Sequence, residues 1–461
     1  MKSNSLKRIL AFLLVLCMTF SLAVSASAAE GDPSASLALD VSRRGNTVTA
    51  VVSLTDTSVA LSGIEFKLGF DTTKLSYKEA YGEIFGFSFP DAANANNKGY
   101  VYAGGTMASG ETTATGTIAT ISFTVKDGAS GDAAFTLISG NGFDKDAKAF
   151  ALTVPAAEKL NIVDYQVTIS GANMTLGNNL AMNFYIDPAG LDYGENYTAV
   201  ITKSYADNRE DLVVKTASSA WVEYQGLYRV SLNKVAAKEM ADKITVVVCN
   251  DKGEVISNVW EDSVQDYTMR NLKKEAAKAD ANKDLLAMYV EMLNYGAAAQ
   301  AHFEYNASNL ANNELTAAQK ALGLSNVEMN DSRVPGTGYV GSSLTLESNI
   351  LMNFFFNTIP AEHDDMYAIA SYTDHYGKAK EVKIAGKDFV KFNSTTWKVS
   401  VAGLVVADCR QPVEVKVYDA SGAVIASVTD SIESYTARMN GDGPLYIAIM
   451  KFAVAAYNYF H

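Results

Sequence analysis

With 38 Lys+Arg against 51 Asp+Glu and a formal net charge of −13, this 461-residue chain is too acidic to bind nucleic acid or anionic lipid through its overall field. A hydrophobic content of 48% with 19% charged residues belongs to packed domains rather than a disordered chain, and the length allows two to four of them. The three cysteines, Cys17, Cys249 and Cys409, are too few and too irregularly placed for a disulfide framework.

The chain opens with Lys2, Lys7 and Arg8, then an apolar run from Ile9 to Leu22, then the small residues Ala26-Ser27-Ala28. This order predicts a cleaved signal peptide over residues 1–28. An apolar run of about 14 residues reaches ~21 Å as a helix, short of a ~30 Å hydrocarbon core, so it is not expected to be an anchor. Cys17 follows Leu14-Val15-Leu16 rather than a small residue, which argues against lipoprotein processing. No later segment is long and apolar enough to span a membrane. The mature chain is expected outside the cell, free or held at the cell wall.

Residues 31–158 show an apolar period of two. Leu37, Leu39 and Val41 alternate with small or polar neighbours, as do Val48, Ala50, Val52 and Leu54; then Ile64, Phe66, Leu68 and Phe70; then Ala119, Ile121, Phe123 and Val125. Such runs between Gly-, Asn- and Asp-rich turns predict a two-layer antiparallel sandwich, with no helical pattern interrupting it.

Two segments make the reading more specific. Residues 61–75, LSGIEFKLGFDTTKL, carry the element F-x-x-x-[YF]-D-x-x-x-L, and residues 116–126, GTIATISFTVK, carry G-x-[IF]-A-T-[IL]-x-F-x-[VA]-K. In order, spacing and module length they resemble a cohesin domain. The resemblance implies a jelly-roll β-sandwich related to carbohydrate-binding modules. It also implies the role such domains have in scaffoldins, capture of the dockerin domains of polysaccharide-degrading enzymes. The dockerin-contacting sheet face of cellulosomal cohesins carries an Asn and an Asp where this sequence has Gly63 and Glu65. A further acidic residue of the family falls near Gly104, in Tyr102-Ala103-Gly104-Gly105. Gly63, Glu65, Tyr102 and Gly104 are therefore the candidate partner-binding residues; Glu65 can replace the Asp as an acceptor, and the glycines cannot act through a side chain.

The remainder is one module written twice. Residues 174–186, MTLGNNLAMNFYI, align with 344–356, LTLESNILMNFFF; residues 262–270, DSVQDYTMR, align with 430–438, DSIESYTAR, and the offset drifts only from 170 to 168. The copies are placed at 165–330 and 338–461. Each begins with period-two strands and hairpin signals such as Asn250 to Gly253 and Asp419 to Gly422. Each ends in a helix, with Leu285, Met288, Tyr289, Met292 and Leu293 in the first and Ile447, Met450, Phe452 and Tyr457 in the second. Gly296 with the following alanines predicts close approach of the first helix to a sheet, and an extra helical stretch, Leu272 to Lys278, is expected in the first copy alone. The repeat resembles modules of large secreted proteins of Gram-positive anaerobes. The expected fold class is multi-domain: an all-β cohesin-like sandwich followed by two copies of an α+β module, a β-sandwich-like sheet with a C-terminal helix.

Catalysis needs an activated nucleophile or a paired acid and base. The four histidines, His302, His363, His375 and His461, have no metal-ligand spacing, and the adjacent carboxylates Asp364-Asp365 lie in a polar stretch. Asp280, Asn282, Asp284 and Glu291 imitate a calcium loop, but Leu285 stands where the turn requires Gly, so helix capping is the expected role. No catalytic residue, metal or cofactor is expected. The shared Asn183 and Asn353, and the aromatic faces of Trp221 and Trp397, are the candidate site of the repeat; a structural role for the amides and core packing for the tryptophans are the competing readings.

The sequence reads as a secreted, non-catalytic scaffolding protein associated with extracellular polysaccharide degradation through dockerin-like recognition. Its partner is expected to be a dockerin-like domain or other secreted protein, with polysaccharide as a further candidate. Direct carbohydrate binding or adhesion through the repeats is the alternative, and a glycoside hydrolase of unrecognised fold the remote one.

Overall fold

The computed structural model describes residues 33–461 apart from 178, 193 and 440–442. The expected signal peptide over 1–28, with Cys17, lies outside the described residues. The chain divides into two compact units, one ending at Asp164 and the other made of Tyr165–His461 together with the turn Arg44–Asn46.

The first unit contains β1 (Ala35–Arg44), β2 (Thr47–Thr57), β3 (Gly63–Phe70), β4 (Leu75–Gly82), β5 (Gly86–Ser88), α1 (Ala92–Lys98), β6 (Tyr100–Thr106), β7 (Gly116–Val125), β8 (Gly131–Phe143), β9 (Ala149–Ala151) and β10 (Glu158–Ile162). One sheet has the order β1-β2-β7-β4; the other has β10-β8-β3-β6-β5, with β9 on β8. The period of two decides the layers. Ile64, Phe66, Leu68 and Phe70 point inward, at 7% exposure or less, while Glu65 and Lys67 between them point out. Phe123 of β7 centres the core, its ring meeting Phe70, Phe135 and Tyr77 at 4.8, 5.4 and 6.1 Å. The expectation that no helix interrupts the sandwich is corrected by α1. Only Ala95 of α1 is buried, so it carries no apolar period; its ends are set by Asp91, which accepts from the Asn94 amide at 2.7 Å, and by Gly99 at φ 71°.

In the second unit the first copy gives β11 (Ile169–Leu176), β12 (Leu180–Ile186), β13 (Thr198–Ser204), β14 (Leu212–Ala217), β15 (Val222–Tyr224), β16 (Leu227–Leu232), β17 (Lys243–Cys249), β18 (Trp260–Asp262), α2 (Val264–Ala276), α3 (Lys283–His302) and the short α4 (Ala317–Lys320). The second gives β19 (Val334–Pro335), β20 (Tyr339–Leu346), β21 (Ile350–Phe356), β22 (Tyr367–Thr373), β23 (Ala379–Ala385), β24 (Val390–Lys391), β25 (Trp397–Val401), β26 (Val413–Tyr418), β27 (Val424–Asp430), α5 (Ile432–Arg438) and α6 (Pro444–Phe460). Each copy has two antiparallel sheets of matching order, β11-β12-β16-β15 with β14-β13-β17-β18, and β20-β21-β25-β24 with β23-β22-β26-β27-β19.

The extra helical stretch expected from Leu272 in the first copy is there as the far end of a helix whose beginning both copies share. In the first copy α2 runs on to Ala276, while α5 stops at Arg438, the residue aligned with Arg270. Ser263 and Ser431 each cap a helix, their hydroxyls accepting from the Asp266 and Ser434 amides at 2.9 and 3.0 Å. The helix in the first copy is simply longer. Gly296 does make a close approach, to the single turn at Ala237–Glu239 rather than to a sheet; a Cβ there would lie 2.7 Å from Met240 Sδ. Ile447 and Tyr457, read as part of the apolar helix pattern, are 37% and 41% exposed, and Leu445, Ile449, Met450 and Phe452 carry the buried face.

One hydrophobic core runs through both copies. Corresponding elements of the two copies face each other at two places. Asn179 and Asn349 form an antiparallel bridge, and Tyr295 of α3 stacks on Phe452 of α6. Contacts between corresponding elements are what a twofold axis produces, so the second unit is a pseudo-dimer within one chain.

Candidate functional site

Strand β3 lies inside its sheet, between β6 and β8, and its outward side chains meet those of both neighbours. Glu65 pairs across with Gly104 on one side and Asn141 on the other; Lys67 pairs with Tyr102, and Gly63 with Thr106. The four residues singled out from the sequence, Gly63, Glu65, Tyr102 and Gly104, therefore share one small patch of the outer face.

The patch has a fixed carboxylate at its centre. Tyr102 donates from Oη to Glu65 Oε2 at 2.5 Å, and Asn141 donates from Nδ2 to Oε1 at 2.7 Å. These two hydrogen bonds, Tyr102 first, hold the Glu65 carboxyl below its ordinary range, and the same bond pushes the Tyr102 phenol up. Tyr102 remains 42% exposed and Ile138 of β8 56%, so the carboxylate sits on an accessible, partly apolar surface. The two glycines differ. A Cβ at Gly63 would lie 3.1 Å from the Gly105 carbonyl oxygen, a steric reason for glycine, whereas at Gly104 it would only touch Tyr102 Oη at 3.7 Å. Asn141 escaped the sequence reading. It lies between two inward glycines, Gly140 and Gly142, and only the β3–β8 register brings it beside Glu65.

The candidate amides of the repeat are buried and fully engaged. Asn183, 4% exposed, donates to Asn173 Oδ1 and Thr175 Oγ1 at 2.7 and 2.8 Å and accepts from Ser231 Oγ at 2.7 Å. Asn353, 2% exposed, repeats this with Ser343, Thr345 and Ser400 at 3.2, 3.0 and 2.8 Å. Each amide ties three strands together, and all its hydrogen bonds run within the sheet. Trp221 is buried, and its indole donates to the Thr216 carbonyl at 3.0 Å; Trp397 is half-buried, with the His363 ring 3.9 Å away. These four side chains hold their own modules together.

The other features weighed for chemistry are structural as well. Asn282 caps α3, accepting from the amides of Asp284 and Leu285, both at 3.0 Å. Glu291, 1% exposed, accepts from the Leu324 amide at 2.6 Å. Among the described residues no three His, Cys, Asp or Glu side chains are grouped to hold a metal ion. Cys249 and Cys409 are both buried thiols whose ionisation burial pushes up. Arg270 and Arg438, the last residues of the aligned segments 262–270 and 430–438, clasp Asp262 and Asp430 at 2.8 and 2.6 Å. No helix of the described residues is long and apolar enough to cross a membrane.

No curated protein matches this chain. Solved structures similar to part of it include the seventh ScaB type I cohesin of Pseudobacteroides cellulosolvens, at 20% identity over 28% of this chain and 92% of that one, with a TM-score of 0.23. A cohesin of Clostridium acetobutylicum matches at 18% identity over 28% and 91%, with a TM-score of 0.23. A type I cohesin–dockerin complex of Clostridium thermocellum matches at 15% identity over 28% and 96%, with a TM-score of 0.24. Residues 38–162 match the family description of the cohesin domain, and the first unit of this chain carries one.

Proposed function

We propose that this chain is an exported, non-catalytic scaffolding protein, and that its cohesin domain captures a dockerin-like domain of another secreted protein on the outer face of β8-β3-β6. Cohesin domains are binding modules without catalytic activity, and residues 38–162 are one. The observation that carries the reading is the Glu65 carboxylate, oriented by Tyr102 and Asn141 on an open sheet face. An acceptor fixed in advance loses little freedom on binding, and it suits a partner that presents hydroxyl or basic donors. The signal peptide at 1–28 and repeat copies at 165–330 and 338–461 belong to this proposal. So does a role in extracellular polysaccharide degradation, with the repeats free to hold the protein at the wall.

Isothermal titration of the full chain against a set of dockerin domains tests it. The expected result is binding that Glu65→Ala weakens by about tenfold or more, the loss typical of a central interface contact. No binding to any dockerin would overturn the reading.

Direct binding of a glycan by the repeats is favoured by one observation. Tyr224 and Phe392, near the ends of the corresponding edge strands β15 and β24, are 40% and 63% exposed, each beside a second ring, Tyr185 or Phe355, at 5.6 and 4.6 Å. Retention on insoluble glycans that Tyr224→Ala with Phe392→Ala abolishes would support it.

A further inference from the structure

Beside the Glu65 patch the outer face dips into an open hollow of about 320 Å³. Tyr100 and Tyr102 of β6 line it, Phe89 and Pro90 add an apolar wall, and Gly104 contributes no side chain to fill it. Two cations reach into it. Lys67 Nζ lies 5.7 Å and Lys98 Nζ 5.9 Å from the centre of the Tyr100 ring. Lys98 ends α1, where the helix carbonyls favour a cation, and Gly99 at φ 71° then turns the chain into β6. Neither ammonium makes an ion pair with a carboxylate among the described residues.

In a chain of net charge −13, two ammoniums at one ring, without a contact ion pair, are a local reversal of sign, though Lys67 also feels the Glu65 carboxylate. Both ammoniums approach the one ring and line the one hollow, so an anion seated there is attracted by both and accepts charge-assisted hydrogen bonds from them. We propose that this hollow receives an acidic side chain of a protein partner, its carboxylate between Lys67 and Lys98 and its methylenes against Phe89 and Pro90. The proposal rests on the reading that a protein partner docks on this face.

The neighbouring charge favours a protein over an acidic polysaccharide. Tyr102 lines the hollow and also donates to Glu65, so the positive hollow adjoins a fixed negative charge. A polyanion laid along the face meets that carboxylate, whereas a folded partner can set an acid in the hollow and a donor on Glu65. Such two-signed matching fixes orientation and rejects wrong partners.

The test uses the full chain and three kinds of probe: a short helical peptide with a central Glu pair, the same peptide with Gln or Lys there, and oligogalacturonate. The Glu peptide is expected to bind about tenfold more tightly than the Gln form, to lose that advantage against Lys67→Glu with Lys98→Glu, and to lose part of it against the double Gln variant. Equal binding of the Gln peptide, no binding of the Glu peptide, or tighter binding of oligogalacturonate would overturn the proposal. A dockerin that binds the wild type and K67E/K98E equally would overturn the hollow alone. Glu-peptide binding at the two lysines, with every dockerin silent, would leave the hollow standing and overturn the dockerin reading.

Discussion

Tyr295 of α3 in the first copy and Phe452 of α6 in the second stack directly on each other, ring centroids 5.9 Å apart and planes 24° from parallel. They are 6% and 5% exposed, so truncating either leaves a cavity between α3 and α6. Tyr295→Ala and Phe452→Ala are each expected to lower the unfolding free energy of the second unit by about 3–5 kcal/mol. The double variant is expected to cost less than the two together, because the rings share one contact. Denaturant unfolding of the four proteins measures this, and strict additivity would show that the rings are not coupled.

Asn183 and Asn353 make the same prediction twice. Removing either amide breaks three side-chain hydrogen bonds that tie strands of its sheet together, at about 1–3 kcal/mol. Asn183→Ala and Asn353→Ala should therefore destabilise the protein to a similar degree while leaving retention on any glycan unchanged. A loss of glycan binding with stability intact would reassign them to a ligand site.

These asparagines also show what the sequence could tell. The duplication and strand period were visible because side-chain alternation is local: Ile64, Phe66, Leu68 and Phe70 name their own layer. The patch was legible in part, since Glu65 and Tyr102 belong to recognisable segments. Asn141 and Lys98 were not, because only strand register brings the first to Glu65 and only a short helix without an apolar period brings the second to Tyr100. Nor was the twofold relation, since the repeat shows a helix in each copy but not that Tyr295 of one touches Phe452 of the other.

The Tyr102–Glu65 bond predicts a pH effect at the patch. Hydrogen bonding to the ionised form holds the Glu65 carboxyl low, so the carboxylate persists into more acidic solution than an ordinary glutamate. Tyr102→Phe removes the largest contribution. Carbon-detected NMR titration should find the Glu65 midpoint higher in the variant, and binding of a partner that needs the carboxylate should fail at a correspondingly higher pH. An unmoved midpoint would mean that Asn141 and Lys67 set it without Tyr102.

Asp242 predicts pH dependence of the opposite sign. Its Oδ2 accepts from Tyr305 Oη at 2.6 Å, and the residue is 3% exposed. Burial is the main cause that pushes this carboxyl up to about 6 from 3.8, against the Tyr305 bond, with the nearby Glu239 adding to the rise. Between those values the folded chain holds a proton that the unfolded chain has released. The stabilisation is thus complete below about pH 3.8 and is lost as pH rises through about 6. The second copy supplies the comparison. Gln411 stands at the equivalent turn, its amide donating to the Asp408 carbonyl at 2.8 Å as that of Asp242 donates to the Glu239 carbonyl at 3.0 Å, and it carries no charge. Asp242→Asn should accordingly flatten the fall in stability between pH 4 and pH 6, measured as denaturant midpoints across that window. A variant that keeps the wild-type slope would place its origin in other carboxyl groups.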